Sequence, residues 1–251
     1  MLSRIGTGAR HAREYCVLVL GYAILGIGCL IVSAVAFPCT LILRARAGAW
    51  LGRRLAMYAF RAYLWGLTVL GVARFDIRAL DPLRRAGPLI LAANHPGLLD
   101  ALMVVSRLPN VVCVLKASLL RNVLWGNGAR LARYIPNDWF IGSINLAVEE
   151  LRAGAQLLLF PEGTRTESRP LDEFRAGVAY VSYRAGVPIQ TVLIESDTDF
   201  LGKGYPFLKR TDMPIPLRVR LGRRFDPPAD PRAFTATLRD YFLQELSQAR
   251  A

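Results

Sequence analysis

Histidine, cysteine and lysine are all scarce in this chain of 251 residues. It has two histidines, His11 and His95, and four cysteines, none of them arranged as a C-x-x-C pair. Zinc sites need clustered thiols or imidazoles, so the sequence predicts neither a metal centre nor a disulfide framework. It also has no G-x-S-x-G segment for a serine nucleophile and no G-x-x-x-x-G-K-[ST] loop for nucleotide phosphates.

Acidic residues are outnumbered by basic ones, 19 against 32, which gives a formal net charge of +13. Almost all of this charge is arginine, since lysine occurs only at Lys116, Lys203 and Lys209. Such a basic excess favours an anionic partner: acidic lipid headgroups, a phosphate-bearing co-substrate or nucleic acid. The arginines are scattered and form no recognisable nucleic-acid motif, so we expect no nucleic-acid partner.

The segment Tyr15–Leu43 contains no charged residue and exceeds the roughly 20 apolar residues that cross a bilayer as a helix. Glycines and Pro38 interrupt it, so it fits one tilted span or two half-helices that enter and return. A cleaved signal peptide is the alternative, because Ala34-Val35-Ala36 resembles a cleavage site. The apolar core of a signal peptide is only about 7–15 residues long, so we expect the segment to stay attached.

Arginine and aromatic residues follow this apolar run. The arginines outweigh the positive charge before the run, which predicts that the following part of the chain lies in the cytoplasm. The segment Trp50–Val72 combines arginines with tryptophan and tyrosine, which is typical of a helix that lies along lipid headgroups. A helix packed on the following domain would have the same pattern. We therefore expect a membrane anchor and interfacial helix over residues 1–72 and a separate folded domain over residues 73–251. The arginines concerned are Arg44, Arg46, Arg53, Arg54 and Arg61.

From Phe75 onward, short apolar runs alternate with helical patterns. This alternation predicts an α/β fold, a layered sheet-and-helix domain preceded by a membrane helix or helical hairpin. Ligands in such sheets bind beyond the strand ends, where the sequence places His95 and Glu162. The predicted strands are Leu89–Ala93, Val111–Leu115, Gln156–Phe160, Ile189–Ile194 and Leu217–Leu221. The predicted helices are Leu99–Arg107, Leu119–Arg133, Ser143–Ala153, Ala176–Ala185 and Pro231–Ala249.

One of the two histidines stands where a strand is predicted to end. His95 comes just after the run Leu89–Ala93, Pro96-Gly97 then breaks the chain, and Asp100 lies five positions on. Histidine exchanges a proton near neutral pH, and a carboxylate that fixes its tautomer makes it a better general base. The same residue types also suit a histidine that caps a turn and an aspartate that caps a helix.

A second block, Phe160-Pro161-Glu162-Gly163-Thr164-Arg165, ends another predicted strand with a sharp turn. Asn-His-x4-Asp followed by this block resembles the glycerolipid acyltransferase family, which includes the lysophosphatidic acid acyltransferases. Lesser matches lie at residues 116–119, 174–177 and 187–192, and the resemblance covers roughly residues 75–221.

The resemblance implies direct acyl transfer from a thioester, acyl-CoA or acyl carrier protein, to a hydroxyl of a lysophospholipid or glycerolipid acceptor, with no further cofactor. His95 would be the general base and Asp100 would orient it. Arg165 would pair with a phosphate, or it would form a structural salt bridge to Glu162 or Asp100. We expect a membrane location, with the catalytic domain on the cytoplasmic face of a bacterial inner membrane. The implied substrate-binding residues are Glu162, Gly163, Thr164, Arg165 and Lys116.

The chain departs from the family pattern between the two blocks. Family members often carry an arginine for the acceptor phosphate in the segment that matches residues 132–138, and none follows Pro136 here. Residues 134–138 and 201–206 resemble instead a bacterial subgroup that includes enzymes of aryl-polyene pathways, which place a specialised acyl chain on a lipid. A thioesterase that uses the same site is a further alternative. A protein that only binds anionic lipid would leave both blocks unexplained.

Overall fold

The structure is a computed structural model that describes residues 2–122, 126–137, 140–196, 198, 200–206, 209 and 211–248. Its first element is one continuous helix, α1 (Leu2–Ile42), so the alternative of two half-helices within the apolar run is wrong. By length and composition, residues 11–42 are long and apolar enough to cross a membrane. The second helix, α2 (Ala45–Val69), follows after a short break.

Helix α2 packs on the rest of the molecule through one side. Leu64 and Leu67 are buried in a core shared with the sheet, whereas Trp50 on the other side is exposed. A Cβ added at Gly52 would lie 2.5 Å from the backbone nitrogen of Ala132, so only glycine permits this approach. The packed-helix alternative is thus confirmed, and a location along lipid headgroups stays a prediction.

The sheet has seven strands: β1 (Ala73–Asp76), β2 (Ile90–Ala93), β3 (Val111–Leu115), β4 (Ile135–Pro136), β5 (Gln156–Leu159), β6 (Ile189–Ser196) and β7 (Ile215–Phe225). Their order is β1-β7-β6-β2-β5-β3-β4. Strands β6, β2, β5, β3 and β4 are parallel, β7 is antiparallel to β6, and β1 is parallel to β7. The carboxyl ends of the five parallel strands therefore meet at one edge of the sheet.

Helices cover both faces of this sheet. Besides α1 and α2 they are a 3-10 helix (Arg78–Arg85), α3 (Asp100–Val105), α4 (Ala117–Leu120), α5 (Gly126–Leu131), α6 (Phe140–Arg152), α7 (Gly177–Ala185) and α8 (Pro231–Gln248). Because successive side chains of a strand point to opposite faces, Leu91 joins the core under α2 and α3, and Ile90 joins the core under α6, α7 and α8. The first of these cores also holds Met103, and the second holds Phe242.

All five predicted strands are present, but several boundaries differ from the prediction. Strand β7 begins two residues before and ends four residues after the predicted Leu217–Leu221, and the short strands β1 and β4 were not predicted. The helix predicted over Leu119–Arg133 is wrong, since α4 ends at Leu120 and α5 begins at Gly126. A Cβ at Gly126 would lie 2.4 Å from the carbonyl oxygen of Leu120, so only glycine allows the start of α5 to lie this close to the end of α4. The end of the last predicted helix, residue 249, lies outside the described residues.

Candidate active site

His95 and Asp100 face each other at the carboxyl edge of the sheet. Nδ1 of His95 lies 2.8 Å from Oδ2 of Asp100, and the same oxygen accepts a 2.7 Å hydrogen bond from the backbone N–H of Gly97. The turn after β2 thus folds the first residue of α3 back onto the ring. Two N–H donors on one oxygen suit an ionised carboxylate, which leaves Nε2 of His95 as the basic nitrogen.

The two side chains differ in their access to solvent. The side chain of His95 is 18% exposed and that of Asp100 is 1% exposed. Burial raises the pKa of Asp100 above its ordinary value, while the hydrogen bond and charge of His95, the Gly97 N–H and the charge of Arg165 act in the opposite direction. The pair therefore presents a reachable imidazole backed by an enclosed carboxylate, which is the arrangement that a general base requires.

The ring of His95 is also held from its face. The ring of Phe160 is stacked on it, with centroids 3.9 Å apart and planes inclined by 17°. Phe160 lies directly beyond β5, the neighbour of β2 in the sheet, and is buried. The stack limits ring rotation, and its electron-rich face favours the imidazolium that forms when His95 takes a proton.

Glu162 holds the backbone of His95. Its Oε1 accepts a 2.8 Å hydrogen bond from the N–H of His95, and its Oε2 accepts a 3.1 Å bond from the N–H of Asp172. The carbonyl of His95 accepts in turn from the N–H of Thr166, at 2.9 Å. Glu162 is 3% exposed, and burial raises the pKa of its carboxyl. The resemblance marks Glu162 as a substrate-binding residue, which stays a prediction, and in the structure its carboxylate joins the turns after β2 and β5.

Asn94 fixes the same turn to the other neighbouring strand. Its side-chain amide donates to the carbonyl of Ile194 and accepts from the N–H of Ile194, both at 2.8 Å. The side chain is buried, so this pair of bonds extends the ladder between β2 and β6 beyond its last backbone contact. The peptide that carries His95 is thus supported from both adjacent strands.

Gly163 turns the chain away from Glu162 with φ +74, a conformation that favours glycine. A Cβ there would lie 2.9 Å from Nε of Arg175, so a larger residue would also displace that side chain. Thr164 follows in the turn and is half-buried. Of the residues that the resemblance marks, Gly163 therefore has a clear structural reason to be glycine.

Arg165 reaches across to the segment that follows β6. Its Nη1 donates to the carbonyls of Leu201 and Gly202 at 3.0 and 3.1 Å. The carbonyl of Leu201 also accepts from the N–H of Leu98, at 3.1 Å. The structure shows no ion pair from Arg165 to Glu162 or Asp100, so the salt bridge that was the alternative to phosphate binding is absent.

Lys116 lies at the same edge of the sheet but on another strand. It follows β3, which is separated from β2 by β5, and its side chain is exposed. Asn137 follows β4, the next strand, and its N–H donates to the carbonyl of Leu115 at 3.0 Å. The place where the family pattern would put an arginine is therefore beside Lys116. The following residue of that segment, Asp138, lies outside the described residues.

The sequence analysis missed the side-chain roles of Asn94 and Phe160, although both stand in the two blocks. A buried amide next to the histidine and an aromatic residue at the end of a strand each have common structural explanations, and neither signals its partner. Only the adjacency of β2 to both β5 and β6 brings these contacts together.

Residues 74–195 match the model of the Acyltransferase family. Human 1-acyl-sn-glycerol-3-phosphate acyltransferase alpha is 30% identical to the chain over 151 residues, which cover 56% of this chain and 50% of the relative. The human beta enzyme is 28% identical over 148 residues, covering 55% and 50%. The chain is thus similar to glycerolipid acyltransferases over this region. It spans half the length of each of these two relatives.

The fold of this chain is also that of a solved structure. The 1-acyl-sn-glycerophosphate (LPA) acyltransferase PlsC from Thermotoga maritima superposes with a TM-score of 0.74 at 16% identity. The superposition covers 96% of this chain and 99% of the other, so it includes the N-terminal helices as well as the sheet. At this level of identity the likeness shows the fold alone.

Proposed function

We propose that this acyltransferase moves an acyl group from a thioester donor to a hydroxyl of a lysophosphatidic acid-type acceptor. The observation that carries the proposal is the 2.8 Å contact between His95 and Asp100 at the edge where Lys116 and Arg165 also lie. The two named human relatives support the acceptor class, since both are named 1-acyl-sn-glycerol-3-phosphate acyltransferases. The donor is acyl-CoA or acyl carrier protein, and no further cofactor takes part.

In the proposed reaction Nε2 of His95 takes the proton of the acceptor hydroxyl, and that oxygen attacks the thioester carbonyl carbon. Asp100 holds the Nδ1–H and stabilises the imidazolium as it forms. The tetrahedral intermediate then collapses with loss of the C–S bond, and the departing thiolate receives the proton from His95. The products are the acylated acceptor and the free thiol of the donor. No acyl-enzyme is needed, because the acceptor is itself the nucleophile.

Two cations support binding of an anionic acceptor in this proposal. Lys116 is exposed beyond β3, and Arg165 lies beyond β5 with one guanidinium nitrogen bonded to loop carbonyls. A guanidinium has five N–H donors, so the contacts of Nη1 leave other donors for a phosphate. The absence of an arginine after Pro136 favours a weaker phosphate site than that of phosphate-specialised family members.

The same proposal places the protein at a membrane. Helix α1 has the length and composition of a span, and α2 exposes tryptophan and tyrosine, which favour the headgroup region. The arginines after the apolar run support a catalytic domain on the cytoplasmic side, and we propose a bacterial inner membrane as its location. A reporter fused after Ala251 that works only on the far side of the membrane would contradict this orientation.

Product analysis of the purified full-length chain tests the proposal. The chain is incubated with an acyl-CoA or acyl carrier protein thioester, with and without lysophosphatidic acid, and the lipid products are measured by mass spectrometry. We expect phosphatidic acid that depends on the acceptor, and a loss of roughly 10²–10⁴-fold in rate for His95→Ala. Thiol release that is the same without acceptor would make the protein a thioesterase. Retention of more than half the turnover by His95→Ala would contradict the role of His95.

A further inference from the structure

Helix α2 presents one stripe of aromatic and basic side chains to solvent. Its members are spaced by three or four residues, so they lie on one side of the helix: Trp50, Arg54, Tyr58, Arg61 and Trp65. The three aromatic side chains are all more than half exposed. Arg54 lies over the Trp50 ring at 3.9 Å and Arg61 lies near the Tyr58 ring at 5.7 Å. These contacts hold cations against the aromatic faces.

The stripe meets two further arginines from other elements. Arg61 donates through Nε and Nη2 to the carbonyl of Ser106, at 3.1 and 3.0 Å, which fixes its guanidinium beside the end of α3. Arg107, the next residue, is paired with Asp81 of the 3-10 helix. Arg84 lies on the same 3-10 helix and is exposed. Three elements that are distant in sequence thus contribute Arg61, Arg84 and Arg107 to one region, in which the charges of Arg84 and Arg107 act on Arg61.

The positive charge of this cluster is only partly compensated. Burial lowers the pKa of Arg61, and the charges of Arg84 and Arg107 lower it further, whereas Tyr58 and Asp81 raise it. Asp81, which is paired with Arg107, is the one carboxylate among the described groups that act on Arg61. An anion bound between the arginines would relieve their mutual repulsion, and two of the three are already held in place.

The structure assigns this arginine cluster, formed by Arg61, Arg84 and Arg107, as a binding site for the phosphate of an anionic phospholipid headgroup, separate from the catalytic edge. The separation follows from the topology. Asp100 begins α3 at the catalytic edge, and Arg107 lies beyond its other end. Arg84 lies in the last turn of the 3-10 helix that precedes the amino end of β2, so it is also at the opposite edge of the sheet from His95.

The aromatic stripe decides between a lipid and an acidic protein as the partner. Exposed tryptophan and tyrosine that alternate with arginine along one helix face are typical of the headgroup region, where the rings enter the acyl boundary and the cations contact phosphates. The stripe also follows directly after α1, the helix that has the length and composition of a span. An acidic protein would need the charges but not a row of exposed rings.

The test measures lipid binding by the full-length chain in neutral detergent micelles. Titration calorimetry compares a short-chain phosphatidylglycerol with the matching phosphatidylcholine, and inorganic phosphate serves as competitor. The two test variants are Arg84→Gln and Arg61→Gln, and Arg224→Gln, an exposed arginine on β7, is the matched control. Arg84→Gln is the main variant, because the side chain of Arg61 also supports Ser106 and its loss affects folding.

We expect tighter binding of phosphatidylglycerol than of phosphatidylcholine, weaker binding at high salt, and a rise of about tenfold in Kd for Arg84→Gln, as for loss of one charged hydrogen bond. Arg224→Gln should bind as wild type.

Competition by inorganic phosphate at similar concentrations would mean that free phosphate, not a headgroup, is the ligand and would overturn the proposal. So would equal binding of the two lipids, an unchanged Kd in Arg84→Gln, or Arg84-dependent binding of an acidic carrier protein without binding of the lipid. None of these results depends on acyl transfer.

Discussion

The carboxylate of Glu162 holds His95 by its backbone and not by its ring: Oε1 of Glu162 lies 2.8 Å from the nitrogen of His95. The other carboxylate oxygen accepts the N–H of Asp172, so one buried side chain joins the turn after β2 to the loop after β5. The turn that carries His95 and the turn that carries Glu162 are therefore held together by one side chain. The position of the imidazole depends on a residue that does not touch it.

Replacement of Glu162 by glutamine should lower both stability and turnover. Glutamine keeps one acceptor oxygen and turns an NH2 group toward the second backbone N–H, which leaves a buried donor unpaired at a cost of about 1–3 kcal/mol. A displaced His95 should lower kcat on the order of 10²-fold. Thermal unfolding and steady-state kinetics check this, with Glu167→Gln, a more exposed acid of the same loop, as control. A normal kcat in a destabilised Glu162→Gln protein would show that the bond does not position the base.

Replacement of Asp100 by asparagine should lower turnover while it relieves a buried charge. Because burial raises the pKa of Asp100, the folded state binds this proton more tightly than the unfolded state does. The contribution of Asp100 to stability is therefore lost as the pH rises from about 4, the ordinary aspartate pKa, to its native pKa. Asparagine does not titrate, so the variant has no such loss. Its free energy of unfolding should therefore rise relative to that of wild type as the pH increases across that range.

Denaturation of both proteins at several pH values measures this difference, and kinetics at neutral pH give the activity. We expect the activity of Asp100→Asn to fall well below wild type, because asparagine no longer fixes the tautomer of His95. A stability difference that runs the other way with pH would mean that His95 holds Asp100 ionised more strongly than burial opposes it.

The five parallel and antiparallel strands that carry most of the core could be predicted from the sequence, because their apolar runs are short and bounded by breaks. Strand β4 has two residues, which is too few for a period to show, and β1 alternates weakly at the sheet edge. The break before Gly126 depends on a close approach to Leu120, which no local pattern records. The continuity of α1 through Pro38 likewise contradicts a local breaker signal.

The sequence also places His95 and Asp100 in one turn, since only five positions separate them. It does not show what the other residues of the two blocks contact, because those partners lie on strands that are distant in sequence. Asn94 binds Ile194, Glu162 binds the N–H of His95, and Arg165 binds the carbonyl of Leu201. Each contact depends on the strand order, in which β2 lies between β5 and β6.

Replacement of Arg165 by lysine should raise the acceptor KM, because lysine cannot make a bidentate pair with a phosphate. If Arg165 contacts the acceptor equally in the ground and transition states, kcat should stay near normal. Arg169→Lys is the matched control, since Arg169 donates to the carbonyls of Ser196 and Thr198 and thus supports the same segment after β6. A rise in KM in Arg165→Lys alone indicates contact with the acceptor. Equal losses of kcat and stability in both variants would mean that Arg165 only supports that segment.

An arginine introduced at Asn137 should strengthen the preference for a phosphate-bearing acceptor. Asn137 is exposed beside Lys116, and its contact with Leu115 uses the backbone N–H, which the substitution retains. A charged hydrogen bond to the acceptor phosphate contributes about 1.5–3 kcal/mol, so kcat/KM for lysophosphatidic acid should rise roughly tenfold or more relative to a phosphate-free acceptor. The two acceptors are compared at fixed donor in wild type, Asn137→Arg and the uncharged control Asn137→Gln.

Adding Lys116→Gln to Asn137→Arg should cancel part of the gain if both cations hold one phosphate. No change in the ratio would place the acceptor phosphate away from this edge of the sheet. A wild-type preference for lysophosphatidic acid of about 100-fold, roughly 2.7 kcal/mol, would show that a full phosphate site already exists without this arginine, and it would remove most of the support for a phosphate-free acceptor of the aryl-polyene type.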